Sequence, residues 1–282
     1  MKKNGYADTT IKATGKRLRH LQAKCNLKDP EDVKAFIATK QCSNAHKESL
    51  VEAYDKLMQS INQKWNKPFY KRYDKLPKIP REEQINMLIS NGSPRMSLFL
   101  SMSKDLGTRP IELTWLKVAD IDLQSGVVNI TGAKHTVGRN GKLRKATLQM
   151  LKIYITKKQL GQNDKLFPTT SKNMSAYYRR LRNKLSEKLQ DPTIRQIRLY
   201  DFRHFKASME YHKTKDLLHV KALLGHKDLR TTLRYTQLLD LNDSEDYHCK
   251  TASNVKEATQ LIENGFQYVT EIDGLKLFKK RK

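Results

Sequence analysis

The sequence predicts an α+β protein that is mainly helical, with a small helical domain followed by a larger helical domain that contains a small antiparallel sheet. Three observations predict this fold. Apolar residues recur at helical spacing through residues 1–65, a basic segment rich in proline follows, and short β-like runs begin only at Val118. The 282 residues, 38% of them hydrophobic, are enough for about two domains with cores of their own.

The first domain, residues 1–65, is predicted to hold three helices. Asp29 followed by Pro30 marks the start of the second helix, because aspartate caps helices and proline suits their first turn. The third is predicted from Asn44 to Trp65. The first helix combines an apolar stripe with a basic opposite face: Ile11, Leu18, Leu21 and Cys25 against Lys12, Lys16, Arg17, Arg19 and Lys24.

Residues 66–80 are predicted to form an extended, basic linker. Three prolines and five basic residues occur within these fifteen positions. Proline lacks the backbone donor of a helix and fixes φ, so a regular element is disfavoured here.

The second domain is predicted to span residues 81–240. It opens with helices at about 81–91 and 94–106, the latter ended by Gly107, and a third helix begins near Arg109. Strands are predicted at 118–124, 126–130 and 143–148, with a glycine-bearing turn before the last. Helical periodicity returns from Met174 to Leu239, with breaks at Asp191-Pro192 and Gly225.

The remaining residues, 241–282, are predicted to form an extension with one helix and a hairpin around Asp273-Gly274. The last residues of this extension are strongly basic. We expect them to contribute to the binding of a polyanion.

The charge of the chain indicates the class of its partner. There are 55 Lys+Arg against 29 Asp+Glu, a formal net charge of +26, which favours nucleic acid. The sequence has neither an apolar run long enough for a membrane span nor a signal peptide, so we expect a soluble, cytoplasmic protein without a membrane partner. The three scattered cysteines, at 25, 42 and 249, predict neither a disulfide framework nor structural zinc.

Several enzyme classes lack their motifs in this sequence. A P-loop, GxGxxG after a strand, HExxH and GxSxG are all missing, which argues against ATP use, dinucleotide binding, zinc hydrolysis and α/β-hydrolase chemistry. The eight histidines show no metal-ligand spacing. We therefore expect neither cofactor nor metal, and chemistry performed by basic groups and hydroxyls.

Four segments carry candidate chemistry, and they occur in a fixed order. The first places an arginine at a helix start, the second a lysine at a hairpin tip, the third an arginine and a histidine together, and the fourth a tyrosine nine residues after Leu-Gly-His. They are Gly107–Leu113, Gly132–His135, Leu199–His204 and Leu223–Tyr235.

This order and spacing resemble the tyrosine recombinases, the group of phage integrases and chromosome-dimer resolvases, over residues 81–240. The extension looks most like integrases of archaeal viruses and plasmids.

The resemblance implies a tyrosine recombinase catalytic fold and a site-specific recombinase that acts on double-stranded DNA as a tetramer on two duplexes, without ATP. It implies DNA binding by residues 1–65 and catalysis by residues 81–240. By resemblance, the tyrosine that follows Leu-Gly-His is the nucleophile and forms a 3′-phosphotyrosyl intermediate on the way to a Holliday junction. The implied catalytic residues are Arg109, Lys134, Tyr200, Arg203, His226 and Tyr235.

These residue types suit phosphodiester exchange. Guanidinium groups stabilise the charge that builds on the non-bridging oxygens, and a phenol can become a temporary ester, activated by a positive site. A lysine at a hairpin tip can protonate the leaving 5′-oxygen. Religation then needs neither ATP nor metal, because the phosphotyrosyl bond retains the energy of the broken phosphodiester.

Some assignments stay open. Tyr200 stands where the family more often has histidine, so we expect it to orient a phosphate oxygen or Tyr235, since a phenol does not titrate near neutrality. Lys142 is an alternative to Lys134. We expect structural support from Asp201 and His204, and core positions for Leu199 and Phe202. The rival functions are a type IB topoisomerase-like enzyme, which only relaxes DNA, and a non-catalytic DNA-binding protein.

Overall fold

The computed structural model describes residues 1–72, 76–133, 136–236, 247–272 and 274–281. The chain divides into two compact units, Met1–Lys75 and Leu76–Lys282. The fold is mainly helical with small antiparallel sheets, as the sequence predicts. No helix in these described ranges combines the length and the apolar character that crossing a membrane requires.

In its described residues the first unit contains a 3-10 turn (Lys2–Asn4) and three α-helices, α1 (Asp8–Gln22), α2 (Pro30–Thr39) and α3 (Asn44–Ser60). The Asp29 side chain accepts a hydrogen bond from the Glu31 backbone N–H, which caps α2 at its predicted start. Lys12, Lys16 and Arg19 on the basic face of α1 are exposed. The core contains Leu21, Val33, Ile37, Leu50, Val51, Tyr54 and Met58.

The prediction that α3 continues to Trp65 is wrong. The helix ends at Ser60, and Asn62 adopts a left-handed conformation (φ 55°) that turns the chain. The Trp65 ring then packs edge-on against Tyr54, with 4.8 Å between ring centroids, while its Nε1–H donates to Asp55 at 3.0 Å. Trp65 contributes to the core at helical spacing without being helical, which explains the misleading periodicity.

Both ends of the predicted linker pack against the core of their own unit. Tyr70 packs against the core of the first unit, and Ile79 packs against the main core of the second. The buried Pro80 precedes the first helix of the second unit. The proline-rich segment is therefore anchored at each end by apolar side chains.

The second unit is built around one buried helix. Its helices are α4 (Glu82–Ser90), α5 (Pro94–Leu106), α6 (Pro110–Trp115), α7 (Lys145–Lys158), α8 (Ser171–Lys188), α9 (Asp201–Thr214), α10 (Leu217–Leu224) and α11 (Arg230–Leu233). Every residue of α5 from Met96 to Leu106 is buried. Gly107 and Gly225 end α5 and α10 in the left-handed conformation, at φ 58° and φ 66°, which confirms both predicted stops.

The small sheet is a hairpin of β1 (Val127–Ile130) and β2 (Arg139–Lys142), in which Ile130 faces Arg139. The strand predicted at 126–130 is confirmed, whereas those at 118–124 and 143–148 are wrong. Residues 118–120 form a 3-10 turn because the Asp120 carboxylate accepts from the Lys117 N–H at 2.8 Å. Asp105 binds the backbone N–H and the side chain of Arg144, so the chain turns there into α7.

The described residues of 247–272 and 274–281 form a second sheet with one helix. It consists of β3 (Tyr247–Ala252), α12 (Val255–Glu263), β4 (Gln267–Ile272) and β5 (Leu275–Arg281). The helix is confirmed, as is the antiparallel pairing of β4 with β5 that makes the predicted hairpin, while Asp273 lies outside the described residues. The additional strand β3 was not predicted from the sequence. The strand order is β3-β5-β4, with β5 antiparallel to both neighbours. The core of this part is Ala252, Leu261 and Phe278.

Candidate active site

The structure brings most of the predicted site residues to one cleft of about 290 Å³. Arg203 is completely buried and contacts the ends of two helices that meet there. Lys134 lies outside the described residues. Lys142, the alternative lysine, is the last residue of β2 and lines a different hollow. The cleft is lined by Arg109, Thr136, Tyr200, His204, His226, Lys227, Asp228, Thr231, Arg234 and Tyr235.

Arg203, in the first turn of α9, is held by carbonyl oxygens. Its Nη1 donates to Gly107 O at 2.7 Å, and its Nη2 donates to Leu224 O at 2.8 Å. These carbonyls lie at the carboxyl ends of α5 and α10, where the helix dipole places partial negative charge. Burial lowers the pKa of Arg203 to about 10, so the group still carries its charge at neutral pH. Among the described residues no carboxylate forms an ion pair with it.

Arg109 is held by Glu112, one helical turn further along. Glu112 accepts from the Arg109 backbone N–H at 2.9 Å and from Arg109 Nη1 at 3.1 Å. It also accepts from Arg139 Nη2 at 2.9 Å, and its side chain is fully buried. Burial alone would raise the pKa of Glu112, but the hydrogen bond and charge of Arg139 and the Arg109 backbone N–H lower it on balance. A buried carboxylate thus fixes two guanidinium groups.

Arg139 is a component of the site that the sequence did not predict. Its side chain is 5% exposed, and its Nε and Nη1 groups are buried without a hydrogen-bond partner among the described residues. It lies against Gly225, where an added Cβ would approach Arg139 Cδ to 3.3 Å and Val137 O to 2.7 Å. Glycine is therefore required beside His226. Nothing in the sequence near Arg139 distinguishes it from an exposed strand arginine.

His226 follows this glycine and is fixed by α11. Its Nδ1 lies 2.8 Å from Thr232 Oγ1, and Thr232 is completely buried. Burial, followed by the charges of Arg203 and Arg109, lowers the pKa of His226 to about 3. The imidazole is neutral at physiological pH, so it acts in the cleft as a hydrogen-bonding group and carries no charge.

Tyr235 follows α11, and its side chain is 2% exposed. Its Oη lies 2.9 Å from His204 Nδ1. Burial raises the pKa of Tyr235 to about 12, and this effect exceeds the opposing influence of Arg203. The sequence predicted activation of the phenol by positive charge. In the free protein, desolvation outweighs that charge and the phenol is protonated.

His204 is the hydrogen-bond partner of the Tyr235 hydroxyl group. Burial, followed by the charges of Arg234 and Arg203, lowers the pKa of His204 to about 4. The imidazole is neutral, so its Nδ1 can accept the hydrogen bond that the Tyr235 hydroxyl donates. The sequence predicted structural support from His204, and its hydrogen bond to the phenol of Tyr235 was not predicted.

Tyr200 lies at the mouth of the cleft, 38% exposed. Its ring packs edge-on against His204, with 5.1 Å between ring centroids. Tyr200 therefore contacts the ring that holds Tyr235. Asp201 accepts from the Arg198 backbone N–H at 2.7 Å and supports the start of α9, while Leu199 and Phe202 are core residues, as predicted.

Comparisons with known proteins agree on one family. The model of the phage integrase family matches residues 80–241. A probable integrase/recombinase protein of Methanocaldococcus jannaschii is 29% identical, over 58% of this chain and 54% of that protein. Tyrosine recombinase XerA of Saccharolobus solfataricus is 28% identical, over 65% of this chain and 62% of that protein. The matches thus span little more than half the length of these relatives.

Solved structures show the same fold. The crystal structure of XerA recombinase, 21% identical, covers 95% of this chain and 96% of that chain with a TM-score of 0.50. The structure of the Tn1549 transposon integrase in complex with circular intermediate DNA, 15% identical, covers 93% of this chain and 95% of that chain with a TM-score of 0.67.

Proposed function

The chain belongs to the phage integrase family, and from this premise we propose that it is a site-specific DNA recombinase of the tyrosine class. It cleaves one DNA strand through a 3′-phosphotyrosyl bond to Tyr235 and releases a 5′-hydroxyl. Strand exchange then proceeds through a Holliday junction. The names of the archaeal relatives and the DNA complex of the transposon integrase support this proposal.

One observation carries the proposal: a tyrosine phenol, a neutral histidine and an arginine line the same cleft, with a second arginine buried at its base. Two fixed guanidinium groups, Arg109 and Arg203, match the charge that develops on a phosphate in an in-line displacement. Because their positions are set by Glu112 and by two helix-end carbonyls, little reorganisation is needed when the phosphate binds.

The remaining residues have separate parts in the proposed reaction. His226, neutral and fixed by Thr232, hydrogen-bonds a non-bridging oxygen. Lys134 protonates the leaving 5′-oxygen, as the family resemblance implies. Tyr200, at the mouth of the cleft, holds the ring of His204 and through it the nucleophile.

The proposed partner is double-stranded DNA, bound by a tetramer on two duplexes. We assign DNA binding outside the cleft to residues 1–65, whose first helix exposes Lys12, Lys16 and Arg19 along one face. The protein acts in the cytoplasm, associated with DNA. The extension after residue 240 is proposed to dock on a neighbouring protomer.

The test is covalent capture. The protein is mixed with a pool of nicked duplexes of randomised sequence, and adducts that survive denaturation are sequenced and mapped by mass spectrometry. Tyr235→Phe should abolish the adduct while the mobility shift with duplex DNA persists, since only the nucleophilic oxygen is removed. Tyr177→Phe, at an exposed tyrosine of α8, is the matched control.

Two outcomes would overturn the proposal. An adduct formed by Tyr235→Phe, or mapped to Tyr200, would show that the nucleophile is wrong. Tight binding of DNA without any adduct in the pool would favour the non-catalytic protein. Joining of two differently labelled duplexes separates a recombinase from an enzyme that only relaxes DNA.

A further inference from the structure

We propose that His204 is the general base that takes the phenolic proton of Tyr235 when the nucleophile attacks. This inference rests on the proposed function. It assigns to a histidine one helical turn after position 200 the task that Tyr200 cannot perform, since a phenol is a poor base near neutral pH.

The geometry singles out His204. Among the described residues, its Nδ1 is the hydrogen-bond partner of Tyr235 Oη, at 2.9 Å. The other candidates are occupied elsewhere: His226 Nδ1 is bonded to Thr232, and Glu112 is bonded to Arg109 and Arg139. A proton acceptor must lie within hydrogen-bond reach of the proton that it removes, and His204 satisfies this condition in the free protein.

The surroundings of His204 keep its imidazole neutral and able to accept the proton of Tyr235. Three arginines from separate parts of the fold influence it: Arg203 in α9, Arg198 before that helix and Arg234 after α11. Burial of the ring, followed by these charges, lowers the pKa of His204 and keeps it neutral. The Tyr200 ring packs against one side of the imidazole and Tyr235 contacts another. A phosphodiester anion bound between the arginines offsets part of this positive charge, which makes protonation of the ring less unfavourable.

The proton balance of the step is complete. As Tyr235 Oη bonds to phosphorus, its proton passes to His204 Nδ1, and the ring becomes an imidazolium. The bond between phosphorus and the 5′-oxygen breaks, and that oxygen takes a proton from solvent or from the lysine predicted at the hairpin tip. In religation the 5′-hydroxyl attacks phosphorus and gives its proton back to solvent or to that lysine. Tyr235 then leaves, and His204 returns the proton to the phenolic oxygen.

The variant that tests this step is His204→Asn. Asparagine can place an acceptor near the position of Nδ1 but cannot carry the proton away. On a nicked duplex recovered from the pool, we expect adduct formation at pH 7 to fall by about 10²-fold to 10⁴-fold, the range of general acid-base catalysis, with DNA binding unchanged. The rate of the variant should then rise roughly tenfold per pH unit above neutrality, because the phenolate must form before attack. His212→Asn, in the same helix, is the matched control.

A second substrate shows whether His204 acts as the general base on the nucleophile or as the general acid on the leaving group. When the bridging 5′-oxygen of the phosphodiester that is cleaved is replaced by sulfur, the leaving group no longer needs a proton. On this substrate we expect His204→Asn to form the adduct as slowly, relative to wild type, as it does on the unmodified duplex. The wild-type reaction on it should still slow in deuterium oxide, which tests the proton transfer without any substitution and so does not depend on the folding of a variant.

The outcomes separate this inference from the proposed function. A His204→Asn variant with the wild-type rate and pH profile, or one restored by the sulfur substrate, would overturn the base assignment while the recombinase proposal stands. If wild-type protein forms no adduct with any duplex of the pool, the proposed function itself fails.

Discussion

The charged groups of the first unit and those of the cleft are the same residue types in opposite environments. In the first unit, Lys67 pairs with Glu52, and their side chains are 40% and 47% exposed. In the cleft, the Glu112 side chain is completely buried, and Arg139 is 5% exposed. Exposed charges are screened and individually worth little, whereas buried ones interact strongly and depend on exact partners. The number of charges therefore matters in the first unit, and their position matters in the cleft.

The largest expected effect is at Arg203, where the cleft depends most on position. Arg203→Lys keeps the charge but cannot reach both Gly107 O and Leu224 O, so one buried carbonyl loses its donor. We expect adduct formation to fall by about 10³-fold and the free energy of unfolding to fall by about 2 kcal/mol. The checks are adduct kinetics and urea denaturation. Arg195→Lys, in an exposed pair with Glu187, should change neither, and an equal effect at both sites would contradict the comparison.

The next effect concerns the carboxylate shared by two arginines. Glu112→Gln removes the negative charge and leaves the buried Arg139 without its ionic partner. We expect a loss of about 3 kcal/mol in the free energy of unfolding at pH 7, typical of a broken buried pair. Chemical denaturation measures it, and Glu187→Gln at the surface is the control, with an expected loss under about 1 kcal/mol.

The same pair has a predicted pH dependence. The folded protein lowers the pKa of Glu112 below its usual value of 4.5, so its stabilising contribution is present above that pH and is lost as pH falls through the folded pKa. Wild-type stability should therefore decline below pH 4.5 more steeply than that of Glu112→Gln. Parallel stability curves for the two proteins would contradict this assignment.

The smallest effect is expected on the basic face of α1. Substitution of Lys12, Lys16 or Arg19 by glutamine should reduce the dependence of log K on log salt by about 0.9 for each phosphate that is no longer neutralised. The free energy of unfolding should change by less than about 0.5 kcal/mol, because these side chains are exposed. Salt titrations of DNA binding measure the slope. A changed rate of adduct formation at saturating DNA would show that this face contributes more than affinity.

What the sequence predicted depends on how far apart the interacting residues lie. The ends of α5 and α10 were predictable because a glycine marks each locally. The role of His204 was not, because its hydrogen bond with Tyr235 joins residues 31 positions apart. The same holds for Arg139 and Glu112, which are 27 positions apart. Motif spacing identified candidate residues, but their protonation states follow from burial, which the sequence does not display.

The order of strands in the sheet of residues 247–281 has a consequence for biosynthesis. The ribosome makes β3 and β4 first, yet neither pairs with the other, because β5 lies between them. Both strands therefore remain open-edged during translation until Leu275–Arg281 has left the exit tunnel. The pairing of all three strands therefore waits for β5, and deletion of β5 would leave β3 and β4 without a strand partner in this sheet.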